Sequence, residues 1–252
     1  MFGLPDSYTI RARIFPAFIA VAPGIALAVV IVSWKKLGLS HAIAGAGLAA
    51  LLYAFSDVAR RRGKRLENAI YKKMGGKPSI TMLRHGDTTL PSDIKARWVE
   101  FLANKIRKRP PTAEAEQASQ TDADAYYELC GHWLRENTRD IRKFKLIFEE
   151  NVTYGFRRNL LGLKRPGLTL NAVVFLICVA ALWFRLPISV DDDITQRLFI
   201  VFAVSALHAA FFLTAVKEQH VIEASNQYAR QLLLACESLQ AGTPLKKAPK
   251  KK

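Results

Sequence analysis

Two clusters of basic residues in the middle of the sequence have the residue types needed to bind phosphate groups. The first lies at residues 105–109 and the second at residues 135–145. Arginine can form two parallel hydrogen bonds with a phosphate, and aromatic side chains provide surfaces on which bases stack. The clusters are interleaved with four aromatic residues, Trp98, Trp133, Tyr126 and Tyr127. A solvated basic face explains the same pattern equally well, so both interpretations stay open.

The charge balance around these clusters favours an anionic partner. Between Asp57 and Leu168 the sequence has 24 lysines and arginines against 14 aspartates and glutamates. The whole chain of 252 residues has a formal net charge of +16. Membrane topology and attraction to anionic lipid explain part of this surplus. The clusters that lie farther from the predicted membrane suit a phosphate-rich ligand.

A second candidate for phosphate chemistry is the run Arg84-His85-Gly86-Asp87-Thr88. It resembles the signature of the histidine phosphatase superfamily, which implies a histidine that is phosphorylated and an arginine that holds the phosphoryl group. That family also needs a second catalytic histidine and a large α/β domain. The surrounding segment has one other histidine, His132, and lacks the βαβ alternation of a parallel sheet. We therefore expect no enzymatic activity, with a membrane-anchored phosphohydrolase that uses His85 as the alternative.

No pattern in the sequence predicts a metal site or a cofactor. The three cysteines are scattered and form no CxxC pair, so neither a zinc site nor a disulfide framework is expected. The run Gly75-Gly76-Lys77-Pro78 lacks the spacing of a P-loop. We expect the protein to work without a cofactor.

Four uncharged, apolar blocks occupy much of the remaining sequence. They cover residues 14–34, 37–56, 168–184 and 198–216. A helix needs about 20 apolar residues to cross a bilayer, and a soluble helix normally keeps a polar face, which these blocks lack. The sequence predicts an all-α polytopic membrane protein, with four transmembrane helices in two hairpins around a mainly helical, basic cytosolic insert.

The predicted organisation has four parts. They are a first transmembrane hairpin at residues 1–57, the basic cytosolic insert at 58–167, a second hairpin at 168–216, and a cytosolic helix with a Lys-rich tail at 217–252. Basic residues flank the spans on the side of the termini and the insert, whereas Asp191, Asp192 and Asp193 lie between spans three and four. The positive-inside rule therefore places both termini in the cytoplasm. Lys35 and Lys36 oppose this rule but are outnumbered.

The first half of the insert should contain two helices and a short strand. The second span should continue to Gly75-Gly76, because glycine commonly ends helices. Residues 79–84 suggest a short strand. A helix should begin at Pro91-Ser92-Asp93. Its buried face would contain Ile94, Trp98, Phe101, Leu102 and Ile106.

The second half of the insert should contain a polar loop, a helix and an interfacial segment. Residues 109–121 are the predicted loop, and Asp122 should cap the next helix. The inward face of that helix would contain Tyr126, Leu129, Trp133 and Leu134. Residues 144–168 suggest an amphipathic segment at the membrane interface. After span four, apolar residues at helical spacing predict a helix that docks on the insert or self-associates.

Small and polar residues within the spans suggest how copies of the chain could cooperate. Gly45, Gly47 and Ala50 form a small-residue face that permits close helix contact. The first hairpin either packs internally or lines a pore. His41 and His208 are ionisable groups at membrane depth and are candidates for function, although a histidine hydrogen-bonded within a bundle is an equal explanation. Four short spans enclose too little space for a conducting path, so a pore requires a homo-oligomer.

Two further stretches carry a resemblance to a known group of proteins. They are GGKPSITMLRHGD at residues 75–87 and FEENVTYGFRRNLLGLKRPG at residues 148–167. With the two hairpins, they make the chain similar to the SMODS-associated four-span membrane effectors, and also to Hailong-type effectors. Those proteins are encoded beside nucleotidyltransferases in bacterial antiphage defence. The resemblance implies a protein of the bacterial inner membrane that opens or disrupts the bilayer under the control of a nucleotide or short single-stranded nucleic acid.

The predicted contacts to this anionic ligand all lie in the insert. They are Lys77, Arg84, His85, Arg139, Arg142, Arg157 and Arg158. The expected partners are the lipid bilayer, further copies of the chain, the ligand and a nucleotidyltransferase encoded nearby. A transporter or scaffold that uses its basic face only for lipid is the remaining alternative.

Overall fold

The chain folds almost entirely into helices. The computed structural model describes residues 6–31, 39–184, 186 and 192–241, and these ranges contain no strand. This confirms the predicted all-α class. Three helical stretches, Ser7–Val30, Lys145–Trp183 and Asp193–Thr214, are long and apolar enough to cross a membrane. They indicate a membrane protein.

The N-terminal part consists of two long helices after a short irregular start. Helix α1 (Ser7–Thr9) leads through a π-helical turn (Ile10–Ile14) into α2 (Phe15–Ile31), and α3 (Leu39–Lys73) follows. Residues 32–38 lie outside the described residues. They include the end of the first predicted span and the two lysines that follow it, Lys35 and Lys36. Gly75 and Gly76 have φ angles of 74° and 145°. They terminate α3 where the sequence predicted.

The predicted strand at residues 79–84 is wrong. Pro78–Thr81 forms a short helix, α4, with proline at its first position, where the missing N–H costs nothing. The amides of Ile80 and Thr81 donate to the carbonyl of Lys77, at 2.8 and 3.0 Å. The backbone groups that a strand would offer to a neighbour are therefore bonded locally.

The next two predicted helices occur close to their predicted positions. The structure differs in having a further helix between them and in the residue that caps the second. Helix α5 (Ser92–Ile106) begins as expected. The predicted polar loop contains a further helix, α6 (Ala113–Ala118), because Thr112 caps its first turn by accepting from Ala115 N. Helix α7 (Gln120–Asn137) is capped by Ser119 and not by Asp122. Short Ser/Thr caps of this kind are easily overlooked in a polar stretch.

The inward faces of α5 and α7 are mostly as predicted. Trp98 and Leu102 of α5 are buried, and Ile94, Phe101 and Ile106 pack against them. On α7 the prediction for Leu129 is wrong, because this side chain is 42% exposed. Tyr127 and Cys130 are buried instead. The buried stripe is therefore rotated slightly from the one predicted.

The C-terminal part consists of three long helices. They are α8 (Lys145–Trp183), α9 (Asp193–Thr214) and α10 (Glu218–Ala241). The segment at residues 144–168, predicted to lie at the membrane interface, coincides with the first part of the continuous helix α8. Leu160 and Leu163 in this half are buried against other helices. The Lys-rich tail after residue 241 and Asp191 lie outside the described residues.

The described residues form two compact units. One combines residues from Met1–Ala69 and Val152–Ile222, and the other combines Ile70–Asn151 with residues from Glu223–Lys252. In the second unit, Leu232 and Leu233 of α10 are fully buried in one core with Trp98 and Tyr127. The predicted docking of the C-terminal helix on the insert is thus confirmed. We refer to this unit as the helical unit and to the first as the spanning unit.

Two glycines bring α3 and α8 into direct contact in the spanning unit. A methyl group added to Gly162 would lie 2.7 Å from the backbone nitrogen of Gly63. The neighbouring Asn159 is fully buried, and its amide donates to the carbonyl of Ala12 at 2.6 Å. By contrast, a side chain at Gly45 or Gly47 would meet nothing within 4 Å. Among the described residues, α3 and α8 come into close contact at Gly63 and Gly162, whereas no such contact occurs at Gly45 or Gly47.

Buried polar side chains occur in two of the candidate membrane-spanning helices, α8 and α9. Asn171 of α8 is buried and donates to the carbonyl of Ser205 at 3.0 Å. His208 is buried, and its ring centroid lies 4.7 Å from that of Phe212. Neither ring nitrogen of His208 makes a well-aligned hydrogen bond with the described residues. The side chain of His41 lies outside the described residues.

Candidate phosphate-binding sites

The Arg84-His85-Gly86-Asp87 run forms a loop whose arginine is anchored within the helical unit. Nε and Nη2 of Arg84 donate to the two carboxylate oxygens of Asp124, at 2.9 and 2.6 Å. Nη2 also donates to the carbonyl of Gly75 at 2.7 Å. The hydrogen bonds to Asp124 raise the pKa of the Arg84 guanidinium. This arginine fastens the segment after α3 to α7.

The histidine of the same run is held by the two charged side chains buried in its surroundings. The His85 amide donates to the carboxylate of Glu116 at 3.1 Å, and its ring Nε2 lies 2.9 Å from the carbonyl oxygen of Pro111. The ammonium group of Lys95 donates to the backbone carbonyls of Arg84, His85 and Asp87. Lys95 and Glu116 are each only 7% exposed. The loop therefore supplies hydrogen-bond partners to both buried charges.

These contacts give the resemblance to phosphatases a structural explanation. Helix α4 precedes the motif, where a phosphatase would have a strand. The arginine that would hold a phosphoryl group is paired with Asp124, and the ring nitrogen of His85 contacts a carbonyl oxygen. The other histidine of the segment, His132, is exposed on α7. In the structure, Arg84 and His85 thus make contacts that hold the loop in the helical unit.

Lys77 takes part in a network of surface ion pairs with residues of α7. Its ammonium group lies 3.0 Å from the carboxylate of Glu128, and the guanidinium of Arg135 lies 3.0 Å from the same carboxylate. Glu128 follows Asp124 by one helical turn, so α7 presents an acidic row to the segment that carries Lys77 and Arg84. Exposed pairs of this kind contribute about 0–1 kcal/mol, so Lys77 and Arg135 can exchange Glu128 for a phosphate at little cost.

A cavity of about 300 Å³ combines arginines with aromatic side chains in the helical unit. Arg135 and Arg139 contribute the cations, and Phe148 and Tyr228 contribute the rings. Arg139 pairs with Glu136 at 2.6 Å, but its side chain is 73% exposed. We call this cavity the arginine–aromatic pocket. It offers the donors and stacking surfaces that a nucleotide requires.

Only one of the seven predicted contacts lines the arginine–aromatic pocket, namely Arg139. Arg142 lies three positions further along the chain and is exposed, and its backbone amide donates to Asp140 at 2.9 Å. Lys77 shares Glu128 with the pocket residue Arg135. Sequence reasoning included Arg135 in a basic cluster but did not select it. Arg135 and Arg139 are four positions apart, but Arg139 lies beyond Asn137, the last residue of α7, so helical spacing gave no signal for this pair.

The remaining two predicted contacts belong to the spanning unit and are engaged there. Nη1 of Arg157 donates to the carbonyl of His220 at 3.1 Å. Arg158 forms an ion pair with Glu67 at 2.7 Å, with both side chains less than one-fifth exposed, and it lies over the ring of Tyr154. The Arg158–Glu67 pair connects α8 to α3. Removing either partner would leave a charge in a nearly dry position.

A second cavity of the helical unit, with a volume of about 740 Å³, lies beside the loop that contains His85. Its lining includes the carboxylates of Asp87 and Glu100, and the ammonium group of Lys95 already contacts three carbonyls. The volume suits a small molecule. The charges do not favour an anion, so the arginine–aromatic pocket is the better candidate for a phosphate site.

Possible metal ligands do not cluster in the described residues, where no group of three His, Cys, Asp or Glu side chains could hold an ion. Cys130, Cys178 and Cys236 are buried free thiols. Burial raises the pKa of Cys130 and that of Cys236 to about 12 each. Thiols in this state are poor nucleophiles and poor ligands at neutral pH.

Comparison with known proteins does not place the chain in a family. No protein-family profile, curated protein or solved structure matches it. Its class therefore follows from the fold alone: a helical protein with three candidate membrane-spanning helices and a helical unit that carries a basic pocket.

Proposed function

We propose that the protein is a membrane effector, an oligomeric pore or ion channel whose opening is controlled by a nucleotide or short single-stranded nucleic acid in bacterial antiphage defence. The observation that supports this proposal best is the arginine–aromatic pocket, which occurs in the same chain as the membrane-spanning helices. Arg135 and Arg139 would bind phosphates, and Phe148 and Tyr228 would stack with bases. The volume of about 300 Å³ suits one nucleotide unit at a time.

The proposed membrane arrangement has four spans in two hairpins. The second span would be added to the three candidate helices by the first half of α3, since residues 39–56 carry no charge. Basic flanks favour an inner-membrane protein with both termini and the insert in the cytoplasm. A reporter fused after Lys252 should be accessible from the cytoplasm only. Accessibility from outside alone would overturn this orientation.

The proposed pore requires several copies of the chain. Gly45, Gly47 and Ala50 are exposed, and a Cβ added at either glycine would meet nothing within 4 Å among the described residues. This face is free to contact the same face of another copy, because small residues let helices approach closely. We expect a defined oligomer by mass in mild detergent. A monomer that persists after reconstitution would contradict the pore.

Ligand control requires that the ligand bind the closed and open states with different affinity. Helix α8 contributes Phe148 to the arginine–aromatic pocket and also contains the third predicted span. A ligand that fixes the position of Phe148 therefore contacts a helix that continues into the membrane-spanning residues. This continuity supports coupling between binding and opening.

The binding experiment compares two charge-matched variants at two salt concentrations. Short single-stranded oligonucleotides and cyclic dinucleotides are titrated into the wild type, into Arg135→Gln/Arg139→Gln, and into the control Lys108→Gln/Arg109→Gln. Each lost charge-assisted hydrogen bond costs about 1.5–3 kcal/mol, so the pocket variant should bind at least about 100-fold more weakly. Its salt dependence should also flatten, by about 0.7 in slope per lost phosphate contact.

The control variant removes the same amount of positive charge from the same unit, but Lys108 and Arg109 do not line the pocket. Equal weakening in both variants would mean that binding follows net charge and not the pocket. Absence of binding below millimolar concentration at low salt would contradict ligand control. Ion flux from vesicles should change with ligand in the wild type and not in the pocket variant. A nucleotidyltransferase gene beside this one would independently support the defence role.

A further inference from the structure

We propose that a second basic cavity, in the spanning unit, binds the phosphate headgroup of an anionic phospholipid. This cavity measures about 370 Å³ and lies between α3 and α8. Arg62 and Arg65 line it from α3, and Lys164 and Arg165 line it from α8. Glu218 is the one carboxylate in the described lining. Four cations against one carboxylate leave a positive cavity that a phosphate would neutralise.

The crossing of α3 and α8 fixes the shape of this headgroup cavity. Gly162 is part of the lining and touches the backbone of Gly63, which directly follows Arg62. Because the two backbones are in contact, the basic residues on either side of the crossing are held near one another by rigid helices. Leu66 and Leu161 add apolar surface to the same cavity. A headgroup with its glycerol backbone matches this combination better than a fully hydrated anion.

The cations of the headgroup cavity are available to a ligand. Within the described part of the chain, no carboxylate forms an ion pair with Arg62, Arg65 or Arg165. The neighbouring Arg61, in contrast, pairs with Asp57 at 2.6 Å. Lys164 donates to the carbonyl of Val216 at 2.8 Å, which orients its ammonium group. Three exposed guanidinium groups thus remain for the oxygens of one phosphate.

The position of these residues in the sequence favours a lipid over a free phosphate compound. Arg62 follows the uncharged block that ends at residue 56, and Arg165 precedes the one that begins at residue 168. If the spans insert as proposed above, both lie at the depth of the headgroups, where basic cavities between helices bind anionic lipid. The inference depends on that insertion but not on the nucleotide-like ligand.

The experiment measures lipid retention by native mass spectrometry of the purified protein, without any nucleotide. Phosphatidylglycerol and zwitterionic phosphatidylcholine are titrated separately into Arg62→Gln/Arg65→Gln and into the control Arg60→Gln/Lys64→Gln. The control removes two charges from the same helix, but neither residue lines the cavity. Each cation near an anionic lipid favours binding roughly fivefold. We expect the cavity variant to lose phosphatidylglycerol affinity by at least about tenfold, with the control close to wild type.

Three outcomes would overturn the assignment. Equal losses in the two double variants would show a diffuse charge effect, and equal binding of both lipids by the wild type would show no headgroup recognition. Displacement of phosphatidylglycerol by millimolar inorganic phosphate or glycerol phosphate would identify a soluble phosphate compound as the natural occupant. Arg165→Gln tests the same cavity from α8 and should reproduce the loss. Unfolding midpoints of all variants should match the wild type, because the substituted side chains are exposed.

Discussion

Replacing Gly162 with alanine should destabilise the spanning unit, because the added methyl group has no space. It would lie 2.7 Å from the backbone nitrogen of Gly63, 3.1 Å from its Cα and 3.2 Å from the carbonyl oxygen of Ala59. Backbone atoms cannot rotate away as a side chain can, so α3 and α8 must separate by several tenths of an ångström. Overpacking of this kind costs about 1–3 kcal/mol. Alanine recovers up to about 1 kcal/mol through helix propensity.

The net effect of Gly162→Ala is a loss of about 1–2 kcal/mol. For a chain of this size that corresponds to a fall of roughly 5 °C in the unfolding midpoint. Gly162→Val should lower the midpoint further. The assay is thermal unfolding in one detergent at one scan rate, because irreversible unfolding makes midpoints depend on the rate of heating.

Gly24→Ala is the matched control, since Gly24 is also a helical glycine of the spanning unit. A methyl group there would lie 3.6 Å from Cδ2 of Leu170, which is an ordinary van der Waals contact. The midpoint of this variant should stay level or rise slightly. Equal midpoints for Gly162→Ala and Gly24→Ala would refute the close crossing of α3 and α8, and with it the rigid shape of the headgroup cavity.

Two further predictions concern the helical unit. Lys95→Met should lower the free energy of unfolding by about 2–3 kcal/mol, since it leaves the carbonyls that Lys95 contacts without a donor. The control Lys108→Met changes an exposed lysine and should not lower the free energy of unfolding. Equal unfolding midpoints for the two variants would contradict the structural role of Lys95. Cys130 and Cys236, with pKa values raised to about 12 by burial, should resist alkylation at pH 8 until the protein is denatured. Because the unfolded thiols ionise near pH 9, the stability of the unit should decrease from about pH 9 towards pH 12, by about 1.4 kcal/mol per pH unit for each thiol. Rapid alkylation of the folded protein, or stability that is level above pH 9, would contradict the burial.

Sequence patterns predicted the helices well where apolar residues repeat over several turns. They failed where contacts between nearby residues determine the local structure. The positions of α5, α7 and α10 follow from apolar residues repeated over several turns. The strand predicted at residues 79–84 rested on a few apolar residues and is replaced by α4, because the amides after Lys77 bond locally. The prediction that Leu129 lies on the inward face of α7 also failed. On α7 the buried stripe includes Tyr127 and Cys130, and Leu129 faces outwards.

The predicted contacts are scattered because the sequence reveals cations but not the carboxylates with which they pair. Asp124 and Glu128 are one turn apart on α7, and they bind Arg84 and Lys77 from a segment forty or more positions earlier. Glu67 pairs with Arg158 over an even longer separation. Such pairings depend on which helices become neighbours. The spacing of residues in a single sequence does not reveal which helices these are. A count of basic residues therefore overestimates the charge that is free to bind a ligand.

The side chains that accompany the cations distinguish the two basic cavities. In the arginine–aromatic pocket, Phe148 and Tyr228 offer flat rings, on which a base can stack but an acyl chain gains nothing specific. In the headgroup cavity, Leu66 and Leu161 offer aliphatic surface without a ring. Phosphate recognition by arginine is common to both, so the class of ligand is decided by the apolar part of each lining. This difference is why the variants of one cavity should change nucleotide binding and those of the other should change lipid retention.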